Sequence, residues 1–177
     1  VKALRVLHRR ETLHQDIKPD NLFITSTGQL KLIDFGSACV GSLSENLTVR
    51  AGAAEYAAPE YALGIARDGR ADQFSLAVTF YELLTGHYPY GDNYLAAKTP
   101  NQFRKLQYTS ACKHNPHVPL WLDAALAQAL SLNPEHRYPE LSEFLIDLER
   151  PNTHLTLKAK PWLEQNPLLF WQLTSVL

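Results

Sequence analysis

Residues 71–84 read Ala-Asp-Gln-Phe-Ser-Leu-Ala-Val-Thr-Phe-Tyr-Glu-Leu-Leu, apolar around most of a helical circumference. A helix of that kind belongs in a core, so the rest of the chain must wrap it. Thr85-Gly86 supplies its stop, with Gly86 suited to the C-cap, and Pro89 blocks resumption. Partners for it follow. Trp121 to Leu132, after Pro119, and Pro139 to Leu148 both show amphipathic helical spacing, and Pro139 suits a first turn. Val1, Leu4 and Leu7 place the start of the chain in a helix ending near Arg10, and Pro151-Asn152 closes the helical part.

Sheet is scarce. Leu22-Phe23-Ile24 and Leu30-Lys31-Leu32-Ile33 flank Ser26-Thr27-Gly28-Gln29, which predicts a short hairpin. Residues 37–57 are rich in Ser, Gly and Ala with weak periodicity; a segment that long without structure of its own is usually a functional loop. The fold class expected is mainly α with a small β-hairpin element.

A chain of 177 residues with 45% hydrophobic and 20% charged residues is an ordinary globular domain. A net charge of −1 offers no basic stripe, which excludes a nucleic-acid partner. Cys39 and Cys112 form no CxxC pair, which fits a reduced cytoplasm. Methionine is absent and the first residue is Val1, so the chain is read as a piece of a longer protein whose start is missing. Leu168 to Leu177 is apolar and aromatic but well short of the roughly twenty residues needed to span a bilayer.

The chemistry concentrates in His14-Gln15-Asp16-Ile17-Lys18-Pro19-Asp20-Asn21 and, downstream, Ile33-Asp34-Phe35-Gly36. Pro19 keeps the first segment from continuing as helix. Together they offer a carboxylate to orient a hydroxyl, a lysine for a moving phosphate, and two oxygen ligands for magnesium, the groups phosphoryl transfer requires. Ala58-Pro59-Glu60 completes the set. A lone Asp-Phe-Gly is a common turn; the ordered set is far more specific. Cys112, His114 and His117 lack a fourth zinc ligand at the usual spacing and read as a polar surface loop. Trp121, Trp162 and Trp171 read as packing residues.

These motifs, in this order, resemble the C-terminal lobe of a eukaryotic-type Ser/Thr protein kinase. The resemblance implies ATP-dependent phosphoryl transfer to Ser/Thr of a protein substrate, with ATP and Mg²⁺ as cofactors. It assigns Asp16 and Lys18 to catalysis, Lys18, Asn21 and Asp34 to the nucleotide, and Asn21 and Asp34 to the metal. His14 would brace the loop, Phe35 pack beneath it, and Gly36 allow the turn that aims Asp34. Asp72, in Asp72-Gln73-Phe74-Ser75-Leu76, would brace the catalytic-loop backbone, and Arg137 would pair with Glu60. Three departures stand out. Gln15 replaces the arginine that often binds an activation-loop phosphate, and Ala53 replaces a threonine that ties the substrate loop to the catalytic groups. No Gly-rich loop, strand lysine or pairing glutamate precedes His14, so the N-lobe is expected upstream in the parent chain. The alternative is a non-catalytic pseudokinase or degenerate fragment acting as a protein-binding module.

Softer motifs resemble the kinase half of bacterial bifunctional proteins that join a type 2C phosphatase domain to a Ser/Thr kinase. These are Leu13-His14-Gln15-Asp16, Leu141 to Leu148 with Pro151-Asn152, and Asn166-Pro167-Leu168-Leu169-Phe170-Trp171-Gln172. That likeness implies a C-lobe over 1–150 and a juxtamembrane tail over 151–177. It also implies a type 2C phosphatase domain as partner, a membrane helix downstream, and a cytoplasmic placement tethered to the inner membrane.

Overall fold

The computed structural model describes residues 1–40 and 54–151. The chain opens with α1 (Lys2–His8), β1 (Thr12–Leu13), a 3₁₀ turn (Pro19–Asn21), β2 (Leu22–Ile24), β3 (Leu30–Leu32) and β4 (Cys39–Val40). Helices follow: α2 (Pro59–Leu63), α3 (Gly69–Thr85), α4 (Asn93–Ala96), α5 (Pro100–Phe103), α6 (Ala111–His114) and α7 (Leu120–Ala129). A second 3₁₀ turn (Pro134–His136) leads into α8 (Leu141–Glu149). The described residues are helix-rich with two small antiparallel sheets.

Helix α3 is the hub, with every residue from Ala71 to Thr79 buried, the polar ones included. Their polar atoms are satisfied: Ser75 Oγ donates to the Ala71 carbonyl at 3.3 Å and Thr79 Oγ1 to that of Ser75 at 2.8 Å. Helices α6, α7 and α8 pack around it. Asp68 caps its start by accepting the Arg70 N–H at 2.8 Å, which lengthens the helix to Gly69, ahead of the expected Ala71. Gly69 sits where a Cβ would meet Nδ1 of His8 at 2.7 Å, so a side chain there would have to displace the His8 ring that α1 lays against α3. Gly86 ends the helix at φ 72°, its N–H donating to the Glu82 carbonyl at 2.7 Å, the C-cap its sequence position suggested.

Two further boundaries differ from expectation. Helix α7 stops at Ala129 rather than Leu132, where the Ser131 N–H turns back to the Gln128 carbonyl at 3.1 Å and the Leu130 carbonyl is left as an acceptor of the helix end. Tyr90 Oη donates to that carbonyl instead, at 2.6 Å. Helix α8 begins at Leu141, leaving Pro139 outside it. Gln73 grips the Tyr138 backbone from both sides, accepting its N–H at 3.2 Å and donating to its carbonyl at 3.0 Å, and this holds the approach to α8 outside the helix.

The predicted hairpin is present, with Leu22 opposite Leu32, Phe23 opposite Lys31 and Ile24 opposite Leu30. Gly28 makes its turn at φ 76°. Part of the segment read as a long loop is strand: β4 pairs antiparallel with β1, Thr12 opposite Val40 and Leu13 opposite Cys39. Residues 41–53, with Ala53, and the tail from 152 lie outside the described residues.

Helix α2 is moored by charge. Arg137 Nη1 lies 2.7 Å from Glu60 Oε1 and Nη2 2.9 Å from Oε2, a bidentate pair with side chains 0% and 3% exposed. The guanidinium also donates to the carbonyls of Ser131 and Arg70 and lies over the Phe74 ring at 4.8 Å. Truncation would leave Glu60 buried and unpaired. Arg137→Ala is therefore expected to destabilise the chain by about 3–5 kcal/mol. Urea denaturation followed by circular dichroism measures this, and an unmoved midpoint would contradict it.

Candidate active site

The site is built from the loop joining β1 to β2 and the turn after β3. Its foundation is Asp72 in the first turn of α3, 1% exposed. Oδ2 accepts the His14 N–H at 2.8 Å and Oδ1 the Gln15 N–H at 2.8 Å, while His8 Nε2 donates to Oδ2 at 2.9 Å. Three donors satisfy a carboxylate that burial would otherwise penalise. The tie holds Gln15 at φ 66°, a left-handed conformation unusual for a non-glycine residue. His8 had no signature in the sequence, since its partner is 64 positions away.

His14 is fully buried. Nε2 lies 3.3 Å from the Ile33 carbonyl and Nδ1 accepts the Asp16 N–H at 3.4 Å, contacts that fit the tautomer with its proton on Nε2. Phe35 meets the imidazole edge-on, centroids 5.1 Å apart. The histidine thus bridges the two loops of the candidate site.

Asp16 is 5% exposed and its two oxygens differ. Oδ2 accepts from Lys18 Nζ at 3.1 Å and Asn21 Nδ2 at 3.0 Å. Oδ1 is buried and has no hydrogen-bond partner among the described residues. Asn21 Nδ2 also donates to the Asp16 carbonyl at 2.7 Å, so both amide hydrogens are used and the side-chain carbonyl oxygen is left for another group. Lys18 stands on extended backbone, φ −157° and ψ 167°, just ahead of the 3₁₀ turn.

The hairpin brings the second loop alongside. Ile33 N–H donates to the Asn21 carbonyl at 2.9 Å, which sets Asp34 beside the Asn21 end of the first loop. Asp34 is exposed, and its Oδ1 accepts the Gly36 N–H at 3.0 Å. The left-handed residue of this turn is Asp34 itself, φ 60°, rather than Gly36. Aspartate tolerates that region because its short side chain bonds the backbone locally. Gly36 contributes its N–H.

Gln15, standing where a phosphate-binding arginine was expected, donates from Nε2 to Cys39 Sγ at 2.8 Å. Burial pushes the Cys39 thiol pKa up, so the sulfur stays protonated at neutral pH. Among the described residues no group of three His, Cys, Asp or Glu side chains is arranged for a metal, Cys112, His114 and His117 included. His114 instead stacks on His87, centroids 4.0 Å apart. Asn21 and Asp34 together offer two hard oxygen-bearing groups, the number magnesium takes from protein when phosphates complete its shell.

Asp72→Ala removes the acceptors of two loop N–H groups. Amide exchange at His14 and Gln15 should quicken by about tenfold or more, with a stability loss of about 1–3 kcal/mol. Exchange measured by NMR checks this, and unchanged protection at both amides would refute the bracing role.

The protein kinase domain family matches residues 1–146. Serine/threonine-protein kinase PknB of Mycobacterium leprae is 34% identical over 152 residues, covering 84% of this chain and 24% of that protein. Serine/threonine-protein kinase Pkn1 of Myxococcus xanthus is 37% identical over 150 residues, covering 80% and 21%. A probable serine/threonine-protein kinase of Streptomyces coelicolor is 35% identical over 154 residues, covering 84% and 23%. The chain thus spans about a quarter of the length of the curated relatives it matches.

Proposed function

Because the chain belongs to the protein kinase domain family, we propose that it is the C-lobe of a protein serine/threonine kinase, incomplete and inactive on its own, and that the complete enzyme transfers phosphate from ATP to Ser/Thr of a protein substrate. The observation that carries this reading is Asp16: a buried carboxylate with Oδ2 anchored by Lys18 and Asn21 and Oδ1 without a hydrogen-bond partner among the described residues. An acceptor kept unsatisfied at such cost suits an incoming hydroxyl.

The residues present fit both cofactors. The Asn21 carbonyl oxygen and the Asp34 carboxylate would hold Mg²⁺, and Lys18 would face the nucleotide phosphates. ATP supplies the γ-phosphoryl group and Mg²⁺ offsets its charge. The chain's own part is positioning. Asp16 Oδ1 accepts the hydrogen bond of the substrate hydroxyl and aims its oxygen. Lys18, 3.1 Å from the other oxygen, brings positive charge to where negative charge moves. His14 and Asp72 keep the two loops in register, and the Glu60–Arg137 pair holds the floor on which a peptide lies.

No glycine-rich loop precedes His14 within residues 1–177, and the grip on ATP is proposed to come from an N-lobe in the parent chain. In the gene product containing that lobe, Asp16→Ala and Asp34→Ala are each expected to lower transfer to a serine peptide by about a hundredfold or more. A radiolabel transfer assay decides. A protein that binds ATP and never transfers would favour the second reading, a pseudokinase binding module, to which Ala53 lends support.

The partners and location proposed are a protein substrate, a type 2C phosphatase domain in the parent chain, and an inner-membrane tether beyond the 151–177 tail. Among the described residues no helix is long and apolar enough to cross a membrane. The tether predicts recovery of the full gene product in the membrane fraction of lysed cells; recovery wholly in the supernatant would refute it.

A further inference from the structure

A cleft of about 500 Å³ opens where α1, the start of α3 and the start of α8 meet. Arg5 and Arg9 line it from the end of α1, Asp68 and Arg70 from α3, and Glu140 and Ser142 from α8. Asp16, Lys18, Asn21 and Asp34 take no part in it, so it is separate from the candidate active site. Its size lies within the about 300–1,000 Å³ usual for small-ligand sites, but its lining is charged.

Much of that charge is already committed. Arg70 gives Nε and Nη2 to Asp68 Oδ2, at 3.0 and 2.8 Å, and Nη1 to Glu135 at 2.9 Å. His8, also in the lining, has its Nε2 on Asp72. Arg5 and Arg9 are left over. Neither guanidinium, nor the Ser142 hydroxyl, has an ion-pair or hydrogen-bond partner among the described residues. The Arg9 N–H donates to the Arg5 carbonyl at 3.1 Å, so the two arginines stand one helical turn apart on one face. Like charges at that spacing repel, which costs α1 stability unless an anion joins them. A cation is excluded by the same pair, and an apolar occupant would strand it. One carboxylate fills a single guanidinium fork. A phosphomonoester brings close to two negative charges and three acceptor oxygens, enough for both arginines and the Ser142 hydroxyl. Of the two carboxylates in the lining, Asp68 is neutralised by Arg70, and Glu140 is exposed, so its charge can turn into water.

We propose that this cleft binds a phosphomonoester dianion, held by Arg5 and Arg9 with Ser142 as a further donor. The phosphate arrives on a phosphorylated Ser/Thr side chain or as a small free phosphate, and the chemistry recognised is the same. The proposal goes beyond the phosphoryl-transfer reading and does not depend on it.

The test follows amide shifts of the 177-residue chain by NMR, at fixed ionic strength and about pH 7.5, where the phosphate is mostly dianionic. Inorganic phosphate, a phosphoserine peptide, and the same peptide with glutamate in place of the phosphoserine are titrated separately. Saturable shifts are expected at Arg5, Arg9, Gly69 and Ser142. The tighter of the two phosphate probes identifies the source, and it should bind about tenfold tighter than the glutamate peptide. Arg5→Gln combined with Arg9→Gln should weaken that probe by about tenfold or more. Glu140→Gln, which removes a carboxylate from the lining, should strengthen it by about threefold. The proposal is overturned if the glutamate peptide binds as tightly, or if the double variant, folded by circular dichroism, keeps its affinity. It is equally overturned if Glu140→Gln weakens binding, or if the shifts centre on Lys18 and Asp34 instead.

Discussion

A carboxylate buried in the first turn of the central helix governs the geometry around it. Asp72 is costly to place there, and it is held by three donors that come from outside its own helix: His8 from α1 and the His14 and Gln15 amides from the loop. Any displacement of the loop uncovers charge in a low-dielectric interior, so the loop is pinned far more firmly than a surface connection would be. That stiffness sustains the left-handed backbone at Gln15 and delivers Asp16 with one oxygen committed and one in reserve.

The same helix serves the other side of the molecule. Arg70 lends its carbonyl to the guanidinium that holds Glu60, Phe74 lies beneath that guanidinium, and Gln73 fixes Tyr138. Helix α3 therefore connects the loop that would orient a hydroxyl with the segment that would support the peptide bearing it. Since α3 is closed in by α6, α7 and α8, the two regions share one rigid reference.

Much of this was legible in the sequence, for identifiable reasons. The central helix, its Gly86 cap and the hairpin follow from local periodicity and turn chemistry, which single residues encode. Asp68 carried a readable capping signal that would have set the start of α3 at Gly69. The ends of α7 and the start of α8 were not readable, because Tyr90 and Gln73 decide them from distant positions. The same holds for the contact of His8 with Asp72 and for β4, whose strand exists through its pairing with β1. Motif spacing singles out Asp16, Lys18, Asn21 and Asp34. Only the folded arrangement reveals that Asn21 spends its amide hydrogens on Asp16, or that Asp34 takes the left-handed turn itself.

The β2–β3 hairpin has a bearing on how the polypeptide behaves in solution. Phe23, Ile24 and Leu30 are 55%, 68% and 58% exposed on a sheet that has two strands among the described residues, so there apolar side chains and strand edges without a further strand occur together. A narrow ribbon with wet hydrophobic residues and unpaired backbone is a template for cross-chain pairing. Colloidal stability of the isolated 177-residue chain is thus limited by this corner of the surface while the helical core stays sound.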